Sequence, residues 1–173
     1  MLELDPDPSK SRYWDCLGEG RDGGRVGEQE YSAKECHERA LEIDGQNTSA
    51  WVNLGDAGGG QVGGQEYSEK ECYQKELEVD EQRKNAWYNL GVKGGGQVGG
   101  KEYSKKECLQ RALEIDGQNG TAWYNLGVEG GGQVGEKEYS EKECYQRALE
   151  IDGQNSYAWY NLGVERGVQV GGK

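Results

Sequence analysis

The stretch Ala122-Trp123-Tyr124-Asn125-Leu126-Gly127-Val128 decides how this chain is organised, because near copies of it recur at a fixed spacing. The tryptophans of the four closest copies stand 36 residues apart, at Trp51, Trp87, Trp123 and Trp159. Self-similarity at one period is typical of repeat arrays, in which each unit buries its apolar face only against its neighbours. The sequence therefore predicts one array over 1–173, with a core as long as the stack.

A looser copy at Trp14 extends the pattern towards the amino terminus. We expect repeats over 10–46, 47–82, 83–118 and 119–154, with the end of a truncated repeat over 1–9 and a truncated last repeat over 155–173. Neither flank has the polar cap that closes most solenoids. A fragment of a longer array is one interpretation of these ends, and a complete array is the other.

The repeated stretch predicts the first helix of each unit. Over 119–129, Ala122 and Leu126 lie at helical spacing. Gly130-Gly131-Gly132 ends this helix, because each Gly costs about 1 kcal/mol relative to Ala in a helix interior. If such glycines only end the helix, replacing Gly94-Gly95-Gly96 by Ala is expected to raise helicity without abolishing folding. We expect a flexible glycine-rich loop here, with one valine per repeat in the groove between repeats: Val26, Val62, Val98, Val134 and Val170.

A capping box begins the second helix of each unit. The Ser hydroxyl of such a box accepts from the backbone of the third helical residue, and the Glu at that position reaches back to the Ser backbone. The boxes are Ser32 with Glu35, Ser68 with Glu71, Ser104 with Glu107 and Ser140 with Glu143. Two antiparallel helices per unit predict an all-α fold, an α/α solenoid.

The cysteines and the single histidine bear on whether the chain can form disulfides or bind a metal ion. Four of the five cysteines occupy the same slot of successive repeats: Cys36, Cys72, Cys108 and Cys144. Equivalent atoms of stacked helices lie about 10 Å apart, beyond the limit of roughly 7 Å for a disulfide. We therefore expect buried, reduced, structural thiols and no metal site.

The charge balance limits the partners. The chain has 20 basic and 32 acidic side chains, a net charge of -12, which repels phosphate backbones and anionic membrane surfaces. No apolar run approaches the roughly 18 residues of a membrane helix, and the first residues show no secretory signal pattern. We expect a cytoplasmic protein in a reducing compartment, with the nucleus not excluded, that binds neither nucleic acid nor membranes.

The glycines also fit G-x-G-x-x-G, the dinucleotide fingerprint, at 58–63, 94–99 and 130–135. That fingerprint needs a strand before the glycines and a helix after them, whereas here a helix is predicted before them. The only histidine, His37, takes a slot that Tyr73 and Tyr145 hold in other repeats. Because no Ser, His and Asp set can be assembled, we predict a protein that is not an enzyme and has no cofactor.

The string Ala-Trp-Tyr-Asn-Leu-Gly, followed by Arg-Ala-Leu-Glu-Ile-Asp, resembles the tetratricopeptide repeat (TPR). The residues that match its pattern are Trp123, Leu126, Gly127, Tyr145 and Ala148, and the resemblance covers nearly the whole chain. The period differs, since that family repeats every 34 residues or so, and the period with its glycine-rich loop also resembles Sel1-like repeats. Either family implies a right-handed superhelix of helical hairpins that binds proteins.

In tetratricopeptide arrays the first helices line the concave face, and residues just after the Trp point into it. The resemblance therefore implies a partner-binding face made of Asn53, Asp56, Tyr88, Asn89, Val92, Tyr124, Asn125, Val128, Tyr160 and Asn161. An Asn ladder can bind the backbone of an extended peptide while Tyr rings contact its side chains. The alternative is that such repeats carry these residues whether or not a peptide binds. Family members that clamp a terminal carboxylate use Lys in this face, and we expect none here.

These observations predict a scaffold that binds a neutral or basic protein segment along its concave face. Two alternatives stay open. One is a structural module that self-associates head to tail, which would cover Leu2 and Leu4 at one end and Trp159 and Leu162 at the other. The second alternative is a fragment of a larger TPR-bearing protein or enzyme.

Overall fold

A computed structural model describes residues 7–20 and 23–167 and shows a mostly helical chain. The helices in these ranges are α1 (Ser11–Gly18), α2 (Ala33–Ile43), α3 (Thr48–Asp56), α4 (Glu69–Val79), α5 (Lys84–Val92), α6 (Lys105–Ile115), α7 (Gly120–Val128), α8 (Glu141–Ile151) and α9 (Ser156–Gly167). The strands there are β1 (Gly24–Val26), β2 (Gln29–Tyr31), β3 (Gly59–Val62), β4 (Gln65–Ser68), β5 (Gly95–Val98), β6 (Lys101–Ser104), β7 (Gly132–Val134) and β8 (Lys137–Tyr139). Leu2, Leu4 and Val170 lie outside the described residues.

The chain divides into two compact units. Of the described residues, the first contains 7–20, 23–82 and 97–101, and the second contains 83–96 with 102–167. In the first unit α1 packs on α2 and α3 on α4, while in the second α5 packs on α6 and α7 on α8. Each pair joins a predicted first helix to the second helix of the same repeat, so the predicted helical hairpins are confirmed.

Local hydrogen bonds explain where the first helices begin. The side chain of Asn119 accepts from the backbone N–H of Ala122 at 2.9 Å, and Asn47 caps α3 in the same way. The tryptophan of the helix then donates its indole N–H to a carbonyl six residues earlier, as Trp123 does to Gly117 at 2.9 Å. The same bond is made by Trp14 to Pro8, by Trp51 to Gly45 and by Trp159 to Gly153. It fixes the turn that leads into each helix.

The four predicted capping boxes are confirmed at the second helices α2, α4, α6 and α8. In α6 the backbone N–H of Glu107 donates to Ser104 Oγ at 3.2 Å, and the backbone N–H of Ser104 donates to Glu107 Oε2 at 2.8 Å. The Ser hydroxyl also donates to the carboxylate, and in the first box these bonds hold the pKa of Glu35 below its usual value. The helix start is therefore specified within four residues of sequence.

The glycine-rich segment is an antiparallel β-hairpin, so the predicted all-α fold and flexible loop are wrong at this point. In the first unit β3 pairs with β4, with Val62 opposite Gln65 and Gly59 opposite Ser68. The two-residue turn at Gly63-Gly64 has positive φ at both positions, which matches the right-handed twist of the flanking strands. Equivalent pairs join β1 to β2 and β7 to β8.

The hairpins are bonded to the second helix of the preceding repeat. In the second unit Gln110 of α6 donates its amide to the carbonyl oxygen of Gln133 in β7 at 2.6 Å. In the first unit Gln74 of α4 bonds in the same way to Gln97 in β5, at 2.6 Å. A side chain 23 residues upstream thus positions each of these strands.

The core of each unit is built from tryptophan, tyrosine, cysteine and leucine side chains. In the second unit the ring of Tyr139, the last residue of β8, lies 4.6 Å from the ring of Trp123, between centroids. The valine of the hairpin, Val134, packs against the same cluster. The predicted burial of the repeated cysteines is confirmed, since Cys36, Cys72, Cys108 and Cys144 are fully buried free thiols. Burial raises the pKa of Cys144 to about 11, which keeps that thiol protonated and unreactive.

Candidate functional site

The second unit contains an open groove of about 550 Å³. We name it the tyrosine groove and define it by its lining residues: Tyr88, Val92, Lys105, Thr121, Tyr124, Asn125, Asp152, Gln154, Asn155, Ser156 and Tyr157. Its walls come from three successive first helices, α5, α7 and α9, with the turn before α9 and the start of α6. The groove is therefore assembled from consecutive repeats.

Helical geometry places the groove residues of α7 at the edge of the core, where Tyr124 still packs against it. Trp123 and Leu126 are buried in the hydrophobic cluster of the second unit, so the next positions, Tyr124 and Asn125, lie towards the side of the helix. Both are half-buried. The amide of Asn125 donates to the hydroxyl oxygen of Tyr88 at 3.5 Å, a long hydrogen bond that joins α7 to α5.

Aromatic rings form much of the groove surface. The centroid of the Tyr124 ring lies 6.0 Å from that of Tyr157 and 5.8 Å from that of Tyr145, and both ring pairs are tilted. Burial, with a hydrogen bond from the hydroxyl of Tyr145 to Glu141, raises the pKa of Tyr145 to about 12. Tyrosine rings such as those of Tyr124 and Tyr157 offer flat apolar surfaces with polar edges.

Two charged side chains lie in the groove wall. The ammonium of Lys105 pairs with Glu129 Oε1 at 2.9 Å. The carboxylate of Asp152, at the end of α8, accepts the backbone N–H of Gln154 at 3.0 Å. The predicted partner-binding face includes no lysine, whereas Lys105, at the start of the second helix α6, lines the tyrosine groove.

The structure brings four of the ten predicted site residues together in the tyrosine groove. These are Tyr88, Val92, Tyr124 and Asn125. Four others belong to the same unit but do not line the groove: Asn89, Val128, Tyr160 and Asn161. Asn161 is hydrogen-bonded to Tyr145, whereas Val128 and Tyr160 are exposed.

The remaining two predicted residues, Asn53 and Asp56, belong to the first unit. The amide of Asn53 lies 3.5 Å from Asp15 Oδ1, and Asp56 accepts from the hydroxyl of Tyr73 at 2.8 Å. Asp15 also contacts Nδ1 of the buried His37 at 3.1 Å. In this unit the ladder position is thus part of a polar network between helices.

Sequence reasoning missed the part of the groove that comes from the turn before the next first helix. Asp152, Gln154, Asn155 and Ser156 lie about one repeat period after the residues of α7 that they face. The repeat period could have indicated these residues, because stacking places the N-cap of a first helix beside the first helix of the preceding repeat. The resemblance to tetratricopeptide repeats points only to residues that follow the tryptophan.

An apolar surface lies beside the groove at α9. Trp159 is 56% exposed, although its equivalent Trp123 is only 2% exposed, and Tyr157 and Tyr160 are each 70% exposed.

Within the described residues no group of three or more His, Cys, Asp or Glu side chains is arranged to hold a metal ion. The helices of 7–20 and 23–167 include none with the length and apolar character that a membrane span needs.

Comparisons with known proteins leave the family open. No protein-family model matches the chain. A search of curated proteins likewise finds no match.

Proposed function

We propose that this chain is a TPR-like scaffold, an α/α solenoid whose tyrosine groove binds an extended segment of another protein. The observation that carries the proposal is the groove itself. It gathers Tyr88, Val92, Tyr124 and Asn125, which the resemblance to tetratricopeptide repeats implies as partner contacts. The proposed role is binding without catalysis, in a reducing intracellular compartment that suits its free thiols.

The chemistry of the lining supports a peptide ligand. Tyrosine rings supply large contact areas at a low entropy cost, because each has only two side-chain torsions. The amides of Asn125 and Gln154 supply donors and acceptors that suit a peptide backbone. Specific peptide sites combine apolar pockets with a few such polar groups, and the tyrosine groove has both.

Replacing Asn125 by Ala is expected to weaken binding of the native partner segment by about three- to tenfold, because one hydrogen bond contributes about 0.5–1.5 kcal/mol. The matched control is Asn161→Ala, at the same position of the next repeat but outside the groove lining. The partner is first isolated by pull-down and mass spectrometry, and affinities are then measured by calorimetry with the mapped segment. Equal weakening by both changes, or none by Asn125→Ala, would contradict the proposed site.

A second candidate function is self-association through α9. The observation that favours it is the exposed indole of Trp159, whose internal equivalents Trp51, Trp87 and Trp123 are all buried. Large exposed aromatic groups mark interaction surfaces more often than isolated apolar residues do.

If this surface joins two copies, Trp159→Ser is expected to raise the dissociation constant of the assembly by about tenfold or more. Sedimentation velocity over a range of concentrations measures it. Val128→Ser, which also removes a half-exposed apolar side chain, serves as the control. A wild-type protein that stays monomeric at every concentration removes this candidate.

A further inference from the structure

We propose that the tyrosine groove selects segments that contain a lysine or arginine, whose charged group binds the carboxylate of Asp152. This inference rests on the proposed function, because it names the chemistry of the segment that the groove takes. A comparison of Asp152 with its equivalent one repeat earlier, Asp116, carries it.

Asp116 shows what this position binds when a cation is at hand. Its Oδ1 accepts the backbone N–H of Gln118 at 2.9 Å, and its Oδ2 lies 2.5 Å from the ammonium of Lys84. The bond from Lys84, and after it the backbone bond, holds the pKa of Asp116 below its usual value. The carboxylate of Asp116 thus accepts one backbone N–H and one cation.

Asp152 keeps the backbone bond but lacks the cation. Its Oδ1 accepts from Gln154, just as Asp116 accepts from Gln118. The residue 36 positions after Lys84 is Gly120, which has no side chain. Across 7–20 and 23–167 no basic side chain pairs with Asp152, so its second oxygen is left to accept from a ligand.

The packing of α7 against α8 explains why position 120 holds a residue without a side chain. Gly120 is buried at the first turn of α7, where a Cβ would lie 3.3 Å from the carbonyl oxygen of Ala148 in α8. Its neighbour Thr121 lines the tyrosine groove. Position 120 therefore supplies no cation to Asp152.

The remainder of the groove favours a basic side chain. Its own cation, Lys105, is neutralised by Glu129 at 2.9 Å. The rings of Tyr124 and Tyr157 offer faces to an alkyl stem and to its charged end. The net charge of -12 adds a long-range attraction for cations.

The test uses immobilised protein and a degenerate library of octapeptides whose two ends are chemically capped. The library is applied at low salt, and the peptides that the protein retains are sequenced. The wild-type protein is expected to enrich lysine and arginine at one position. Asp152→Asn keeps the acceptor for the Gln154 N–H and removes the charge, so it is expected to abolish the enrichment. Asp116→Asn is the control and is expected to keep the enrichment.

A selected lysine peptide then gives the size of the effect. The affinity of this peptide is expected to be about fivefold lower for the Asp152→Asn protein than for the wild-type protein, the range of a partly exposed ion pair. For the Asp152→Asn protein, replacing the lysine of the peptide by norleucine is expected to leave the affinity unchanged. Enrichment that persists in Asp152→Asn, or retained peptides without basic residues, would overturn the inference and leave the groove as a peptide site. A folded wild-type protein that retains no peptide would overturn the proposed function as well.

Discussion

Gly95→Ala is expected to destabilise the second unit by more than about 3 kcal/mol, although the substitution adds one methyl group. Gly95 has a φ of +83°, and a Cβ at that position would overlap the carbonyl oxygen of Tyr103 and the backbone that follows it. Neither contact can relax by a side-chain rotation. The hairpin would have to separate from the start of α6, where the capping box of Ser104 begins the helix.

The neighbouring Gly94 is the matched control, because its φ is +89° but a Cβ there meets nothing within 4 Å. Gly94→Ala is therefore expected to cost only the left-handed conformation, about 1–2 kcal/mol. Urea unfolding followed by circular dichroism compares the two variants. Equal midpoints would show that the overlap at Gly95 is relieved at little cost. The premise that Gly94-Gly95-Gly96 only end the helix is wrong, since two of these glycines have φ values that L-residues avoid and β5 begins at Gly95.

Trp123→Ala is expected to destabilise the chain by about 3–5 kcal/mol, the range for removing a large buried aromatic side chain. Trp123 is 2% exposed, contacts the ring of Tyr139 and bonds to the carbonyl of Gly117. Its loss leaves both a cavity and an unbonded carbonyl in the turn before α7. Folding of two repeats depends on this one side chain, because α7 packs on both α6 and α8.

Trp159→Ala is the control for this prediction. Trp159 makes the same bond, to Gly153 at 2.9 Å, but is 56% exposed, so we expect it to cost about 1 kcal/mol, the share of the hydrogen bond. Thermal unfolding, monitored by circular dichroism because the substitutions alter the fluorescence, separates the two. A small effect at Trp123 would mean that the core does not depend on the repeated tryptophan.

The helices of this fold could be predicted because their signals are local. A capping box such as Ser104 with Glu107 lies within four residues, and the helical spacing of Ala122 and Leu126 spans little more than one turn. The hairpins are harder to predict, because three consecutive glycines indicate first of all the end of a helix. A two-residue Gly-Gly turn between short alternating segments is a hairpin signal, and Gly63-Gly64 between Val62 and Gln65 fits it.

The groove could be predicted only in part, and for a different reason. Tyr88, Tyr124 and Asn125 follow their tryptophans directly, so the resemblance to tetratricopeptide repeats was enough to select them. Asp152 and Tyr157 join the groove only because the next repeat folds back beside α7. Such contacts depend on how consecutive helices pack. Only that packing shows that Lys84 can pair with Asp116, whereas Gly120 supplies no cation to Asp152.

The bonds from the second helices to the hairpins bear on how this chain avoids aggregation. A two-stranded hairpin presents unpaired backbone groups along its outer edges, and such edges invite strands from other molecules to add on. The side-chain amide of Gln74 donates to the carbonyl oxygen of Gln97, and that of Gln110 donates to the carbonyl oxygen of Gln133. The carboxylate of Glu38 accepts the backbone N–H of Gln61 at 2.8 Å. Each of these side chains fills a position that an intruding strand would need. One edge of each of these hairpins is thus partly covered from within the chain, which disfavours pairing with strands of other molecules.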